Sequence, residues 1–285
     1  MTVLSTNASD ENITAIHIQA VIFDLDGTLL DTESLSCLAV IDSFELSNLR
    51  IPPEKRNELK SRGDLLPWEL KRLILGLRGS EWIPIVLGYA QQNWGVDMEL
   101  DWREGWQSRC RFADVEEEAR KDVVAKFWRA WEKRLNDLCE QVEACPGATD
   151  LVKSLALLKL PLAIATSSRL ASVQKKRRRH EDMFQSFQFI VTGDDPNVKC
   201  GKPAPDIFLE AAKRLGFHPS NCLVFEDSLL GAQSAKSAGC RVVAVPDRRM
   251  EKEVFNNVAD EVLTSMHEFT GKKWGLSLDS AKMIK

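Results

Sequence analysis

The chain has 285 residues, 44% of them hydrophobic, and a formal net charge of −4. That supplies a core for one large or two smaller domains, gives nucleic acid no basic surface to bind, and leaves no apolar run of the ~18 residues that span a membrane. Seven cysteines, an odd number with no CxxC spacing, argue against a disulfide framework or a zinc site and fit a reducing cytosol.

Residues 1–15 are polar and lack a basic, apolar, small-residue signal pattern, so a disordered N-terminal tail is expected there. Val21-Ile22-Phe23 follows as a short apolar run, and Asp24-Leu25-Asp26-Gly27-Thr28 closes it. A buried strand has no use for two unpaired carboxylates at its end, because burying a charge is costly without a compensating one. A hard cation such as Mg²⁺, bound by carboxylate and carbonyl oxygens, is the simplest compensator. The segment therefore points to metal-assisted phosphoryl chemistry.

Residues 33–145 show helical periodicity only. Leu66, Leu70, Leu73, Ile74 and Leu77 share one spacing, and Val124, Phe127, Trp128, Trp131, Leu135 and Leu138 another. The block holds seven of the eight tryptophans, Trp68, Trp82, Trp94, Trp102, Trp106, Trp128 and Trp131. The preferred reading is that they build its own core, and the sharper alternative is that one or two wall a pocket. Pro146-Gly147 marks the return to an alternating pattern.

From there, apolar runs too short for helices alternate with helical stretches near 147–159, 168–180, 205–215 and 229–238. Leu162-Ala163-Ile164-Ala165 ends at Thr166, and Phe189-Ile190-Val191 ends at Thr192-Gly193. Leu223-Val224-Phe225 ends at Glu226-Asp227, and Val242-Val243-Ala244-Val245 ends at Pro246-Asp247. Alternation of this kind predicts an α/β fold, a Rossmann-like doubly wound parallel sheet with an inserted all-helical cap domain. Residues 16–32 and 146–270 would form the core, 33–145 the cap and 271–285 a C-terminal tail. Asp24, Thr166 and Asp227 each close a separate strand, and such a sheet gathers strand ends into one crevice. The run Lys175-Lys176-Arg177-Arg178-Arg179 reads as a solvated helix face, with attraction of anionic substrates as the alternative.

Four motifs in order make the chain resemble the haloacid dehalogenase-like hydrolase superfamily: Asp24 to Thr28, continued by Leu29-Leu30-Asp31-Thr32-Glu33; Thr166 with Ser167-Ser168; Lys202 before a helix; and Glu226-Asp227. Gly193-Asp194-Asp195-Pro196-Asn197-Val198, the stretch Gly201 to Leu209 and Arg179-His180 are similar to the subgroup of pseudouridine-5′-phosphatases and glycerol- and sugar-phosphate phosphatases. The insertion takes the place of that family's C1 cap and is longer than its subgroup suggests.

The resemblance implies a Mg²⁺-dependent phosphatase acting on a small phosphomonoester, a sugar phosphate or a nucleoside monophosphate such as pseudouridine 5′-phosphate. Asp24 would be the nucleophile and form an aspartyl-phosphate. Asp26 would protonate the leaving alkoxide and then activate water. Thr166 and Ser167 would hold phosphate oxygens, and Lys202 would neutralise charge. Mg²⁺ would take an Asp24 carboxylate oxygen, the Asp26 backbone carbonyl and Asp227, with Glu226 assisting directly or through water. Glu33, Arg62 and Asp64 are further candidates for substrate contact. A protonating residue at Asp26 favours an alkoxide leaving group over a halide. Two rivals remain at this stage: a phosphomutase of the β-phosphoglucomutase kind, and a regulatory protein that binds a partner through the Trp-rich cap. The expected setting is cytoplasmic, with a small phosphorylated metabolite as partner, no nucleic acid, no membrane, and a monomer or weak dimer.

Overall fold

A computed structural model describes residues 17–61, 65–75, 79–103 and 117–278. Its sheet has six strands: β1 (Ala20–Phe23), β2 (Leu162–Ala165), β3 (Phe189–Val191), β4 (Cys222–Glu226), β5 (Arg241–Ala244) and β6 (Glu261–Val262). Their order is β3-β2-β1-β4-β5-β6 and every pairing is parallel. The predicted doubly wound sheet is therefore observed. Only the two-residue β6 has no counterpart among the predicted runs, being too short to show a pattern.

Alternate residues of each strand point to opposite faces, and both faces are covered. Val21, Phe23, Leu162, Ile164, Leu223, Phe225 and Val243 enter one apolar cluster with α6 (Ala148–Leu157). Ala20, Ile22, Ala163, Ala165, Cys222, Val224, Val242 and Ala244 enter the other with α9 (Asp206–Leu215) and α10 (Leu229–Ser237). Strands buried on both faces read as continuous hydrophobic runs, which is why they were visible in the sequence.

The insertion consists of α1 (Thr32–Leu46), α2 (Pro53–Ser61), α3 (Trp68–Ile74), α4 (Gly79–Asn93) and α5 (Glu117–Leu138) in its described part. It has its own apolar cluster, in which Phe44, Trp82, Trp94 and Phe127 meet edge to face, with Phe44 and Phe127 centroids 5.0 Å apart. Trp82, Trp94 and Trp102 are buried there, and Trp128 and Trp131 pack against it. Leu77 and Trp106 lie outside the described residues. The chain enters and leaves the cap side by side: Asp31 N donates to Glu143 O at 2.9 Å and Cys145 N to Leu29 O at 2.9 Å.

The core continues past residue 270, where a tail was expected. Trp274 is buried, its Nε1 donates to Glu261 Oε2 at 2.6 Å, and Leu276 and Leu278 pack against the sheet cluster. A single buried tryptophan among lysines and glycines gave no periodic signal. Among the described residues, no helix is long and apolar enough to cross a membrane.

Candidate active site

The strand order makes β1 the switch point: β2 and β3 run out to one side of it and β4, β5 and β6 to the other. The carboxyl end of β1 therefore opens into a crevice flanked by the ends of β2 and β4. Asp24 sits in it, and its N–H donates to Phe225 O at 2.9 Å. The chain then turns tightly, with Gly27 N donating to Leu30 O at 2.8 Å. Gly27 has φ +87°, and a Cβ there would stand 2.2 Å from Asp227 Oδ2. The glycine of the first motif thus serves both the turn and the close approach of Asp227. Thr28 Oγ1 donates to Asp227 Oδ1 at 3.1 Å, joining the first motif to the fourth.

Lys202 Nζ bridges Asp24 Oδ1 at 2.6 Å and Glu226 Oε1 at 2.5 Å. The other Glu226 oxygen accepts from Ser228 N at 2.8 Å and from Ser228 Oγ at 2.9 Å. Ser228 also caps α10 through Gly231 N at 3.0 Å. Both oxygens of Glu226 are thus engaged within the protein, and a Cβ on Gly231 would lie 1.7 Å from Oε1. Glu226 is placed to hold Lys202, while Asp24 and Asp227 face the crevice.

Asp24 and Glu226 are buried and share the ammonium of Lys202, and the part-buried Asp227 beside them accepts from the Thr28 hydroxyl. Burial, opposed by Lys202 but assisted by Glu226 and Asp26, pushes the Asp24 carboxyl up to about 8. Burial together with Glu226 and Asp24 raises Asp227 well above the usual carboxylate range. The crevice is short of positive charge, which is the condition that a bound divalent cation relieves. Among the described residues, no three His, Cys, Asp or Glu side chains form a ready cage. Two facing carboxylates and a backbone carbonyl suit Mg²⁺, which keeps several of its waters.

Asp26 has different surroundings. Its Oδ2 accepts from Thr166 Oγ1 at 3.1 Å and from Ser168 Oγ at 2.7 Å, and its Oδ1 is ion-paired with Lys176. Burial alone would raise this carboxyl, but Lys176 and the hydroxyls outweigh it and hold it below the ordinary range. Two acids two residues apart are thus displaced in opposite directions: without a cation in the crevice, Asp24 is held toward its protonated form and Asp26 toward its ionised form.

Thr166 is fully buried; its N–H donates to Val191 O at 3.0 Å, and its hydroxyl also accepts from Ser168 N at 3.0 Å. Ser167, by contrast, lines the crevice. Gly193 lets this turn pack, since a Cβ on it would fall 2.2 Å from Ser167 O.

The crevice widens beneath the cap into a cleft of about 1040 Å³. Asp24, Asp26, Lys202 and Asp227 lie on its floor; Glu33, Leu66, Trp68 and Lys71 come from the cap side, and Asp247 and Arg249 from the loop after β5. Lys71 Nζ lies 3.2 Å from Asp247 and 3.5 Å from Glu33. Arg249 grips Asp247 with two donors, at 2.9 and 2.7 Å, and sits 4.7 Å over the Trp68 ring. Of the candidates named from sequence, Asp24, Asp26, Ser167, Lys202, Glu226, Asp227 and Glu33 line the cleft and Thr166 lies behind it. Arg62 and Asp64 lie outside the described residues.

A family model of the haloacid dehalogenase-like hydrolases matches residues 18–239. The chain belongs to the haloacid dehalogenase-like hydrolase family. It is 33% identical to (DL)-glycerol-3-phosphatase 2 of Arabidopsis thaliana, a match covering 91% of this chain and 92% of the relative. It is 34% identical to a probable pseudouridine-5′-phosphatase of Drosophila melanogaster, covering 90% and 93%. The crystal structure of CbbY from Rhodobacter sphaeroides in complex with phosphate superposes with a TM-score of 0.57 at 26% identity, covering 91% of this chain and 100% of that one.

Lys71 and Arg249 also belong to the site's surroundings and were not named from the sequence, while Ser168, Lys176 and Asp247 were named only as part of the second motif, of the basic run and of a strand end, with no individual role. Lys176 carried a signal: it follows the buried Val173 by three residues on α7 (Leu170–Arg177), which places both on the inner face. The arginines of its run are ion-paired at the surface, Arg177 with Glu181 at the start of α8 (Glu181–Phe184), Arg178 with Glu140 and Arg179 with Glu143. The run therefore combines one inward lysine with three ion-paired outer arginines.

Proposed function

We propose that the protein is a Mg²⁺-dependent phosphatase that hydrolyses small phosphomonoesters through an aspartyl-phosphate on Asp24. The observation that carries this reading is the division of labour at the end of β1: Asp24 faces an open cleft beside Lys202, and Asp26 is held apart by three donors.

An Asp24 carboxylate oxygen attacks phosphorus, and the bond from phosphorus to the ester oxygen breaks. For this step Asp26 must take up a proton against the pull of Lys176, and it gives that proton to the departing alkoxide. Water then attacks the phosphoryl group, Asp26 takes the water's proton, and the bond to Asp24 breaks to release inorganic phosphate. Lys202, fixed between Asp24 and Glu226, stabilises charge on the attacking carboxylate and the transferring group. Ser167 and the neighbouring amides receive phosphate oxygens. Asp24, Asp227 and the Asp26 carbonyl would hold Mg²⁺, which would supply positive charge that lets an anionic nucleophile meet an anionic ester.

The cleft volume and its mixed wall of Trp68, Lys71 and Glu33 suit a hydroxylated leaving group the size of glycerol, a sugar or a nucleoside. The likeness to glycerol-3-phosphatase 2 and to the probable pseudouridine-5′-phosphatase supports that class. The test is phosphate release from glycerol, sugar and nucleoside phosphates with and without Mg²⁺. Asp24→Asn should lower turnover by about a thousandfold or more; equal turnover in wild type and variant would overturn the assignment.

A further inference from the structure

A buried lysine outside the four motifs touches the acid that moves the proton. Lys176 is only 3% exposed, although it belongs to the most basic run of the chain. Its stem crosses from α7 toward the end of β1, where Nζ pairs with Asp26 Oδ1 and donates to Ser168 Oγ at 2.9 Å. Ser168 Oγ in turn donates to Asp26 Oδ2 at 2.7 Å, and Thr166 Oγ1 reaches the same oxygen at 3.1 Å. Lysine, serine and carboxylate thus close a ring. A carboxylate held at both oxygens has one orientation, and an ammonium brought into a buried place without function costs more than an apolar side chain there.

We infer that Lys176 is a positioning residue for proton transfer: with Ser168 it fixes the Asp26 carboxylate at the edge of the cleft, turned from Asp24 and toward the ester oxygen that leaves. This rests on the phosphatase reading above. Without Lys176, Asp26 loses its charged donor on Oδ1 and keeps the hydroxyls of Thr166 and Ser168 on Oδ2, so its carboxyl plane is held less firmly. Misplacement by about an ångström is enough to cost on the order of a hundredfold in a positioned step.

The consequence depends on the leaving group. An alkoxide needs the proton of Asp26, whereas p-nitrophenolate departs without it. The parameter kcat/KM covers events only through departure of the leaving group, so the later attack of water does not enter it. In Lys176→Met, kcat/KM for glycerol 3-phosphate should fall about a hundredfold, while kcat/KM for p-nitrophenyl phosphate should fall by less than about fivefold. The ratio of the two, measured on one preparation, is independent of the fraction of protein that is folded. Ser168→Ala, which leaves the ion pair in place, should shift that ratio in the same direction and by less. Lys176→Met should also add little to Asp26→Asn on the alkyl ester, because both act through one carboxylate.

Equal losses on both esters would make Lys176 a purely structural partner and overturn the inference while leaving the phosphatase standing. An unchanged ratio in both variants would do the same. If the wild-type protein with Mg²⁺ released phosphate from neither ester, the phosphatase reading would fall and take this inference with it.

Discussion

Asp24 and Asp26 are separated by one leucine, yet they differ in everything that governs their chemistry. The first shares a lysine with a neighbouring glutamate and is raised; the second has a lysine and two hydroxyls to itself and is lowered. A regular strand would point residues two apart to the same side, but β1 ends at Phe23 and the chain is already turning toward Gly27, so the two acids find different partners, which come from β2, α7 and the Lys202 loop. The same residue-level reasoning applies to Gly27. In Gly27→Ala the new methyl would meet Asp227 Oδ2 at 2.2 Å in a backbone conformation that alanine resists. Asp227 must move, and under the proposed chemistry the Mg²⁺ concentration for half-maximal activity should rise by about tenfold, a loss of ~1.4 kcal/mol. A titration of activity against Mg²⁺ measures it, and an unchanged midpoint would mean that Asp227 is not a ligand.

At the scale of elements, the cap helices are tied by one acid as well as by their aromatic core. Asp42 of α1 accepts from Arg56 at 3.2 Å and Lys60 at 2.7 Å on α2, and from Arg134 at 2.9 Å on α5. Burial would raise its carboxyl, but these three cations prevail and hold it below the usual range. A group whose folded value is depressed stabilises the fold above its unfolded value, near 4, and loses that contribution as pH falls through the folded value. Asp42→Asn should therefore lower stability at pH 7 by about 2 kcal/mol. The gap should close as both proteins are acidified below pH 4, and urea midpoints across pH 3–7 would show this. How far these elements were legible depended on their burial. Strands covered on both faces announced themselves as apolar runs, and the motifs at their ends followed from the topology. Asp194 and Asp195 had no such pattern: Asp194 accepts from Leu170 N at 3.0 Å at the start of α7, and Asp195 pairs with Arg214 at 2.7 Å. Their part in the recognisable stretch after β3 is structural, holding the turn against which Ser167 packs. The inward direction of Lys176 was readable only by following Val173 along the helix, because the basic run around it suggested a uniform solvent face.

Across the whole molecule, the contacts between cap and core among the described residues include, first, the paired chain segments near Asp31 and Glu143 and, second, the clasp in which Lys71 and Trp68 on α3 engage Asp247 and Arg249. The second was invisible in the sequence, since its partners are about 180 residues apart and only the fold brings them together. Lys71 lines the cleft away from Asp24 and Lys202, so Lys71→Met should raise KM by about tenfold with a much smaller change in kcat. A fall in kcat with KM constant would place Lys71 in the chemical step instead. The position of β1 at the centre of the sheet has one more consequence. Its neighbours are Leu162 to Ile164 on one side and Cys222 to Phe225 on the other, so a strand made near residue 20 waits for chain made about 140 and 200 residues later. During synthesis the cap, with an apolar cluster of its own, can collapse on the ribosome while β1 is still without a partner. Asp24 and Asp26 would then emerge well before the strands that fix their places.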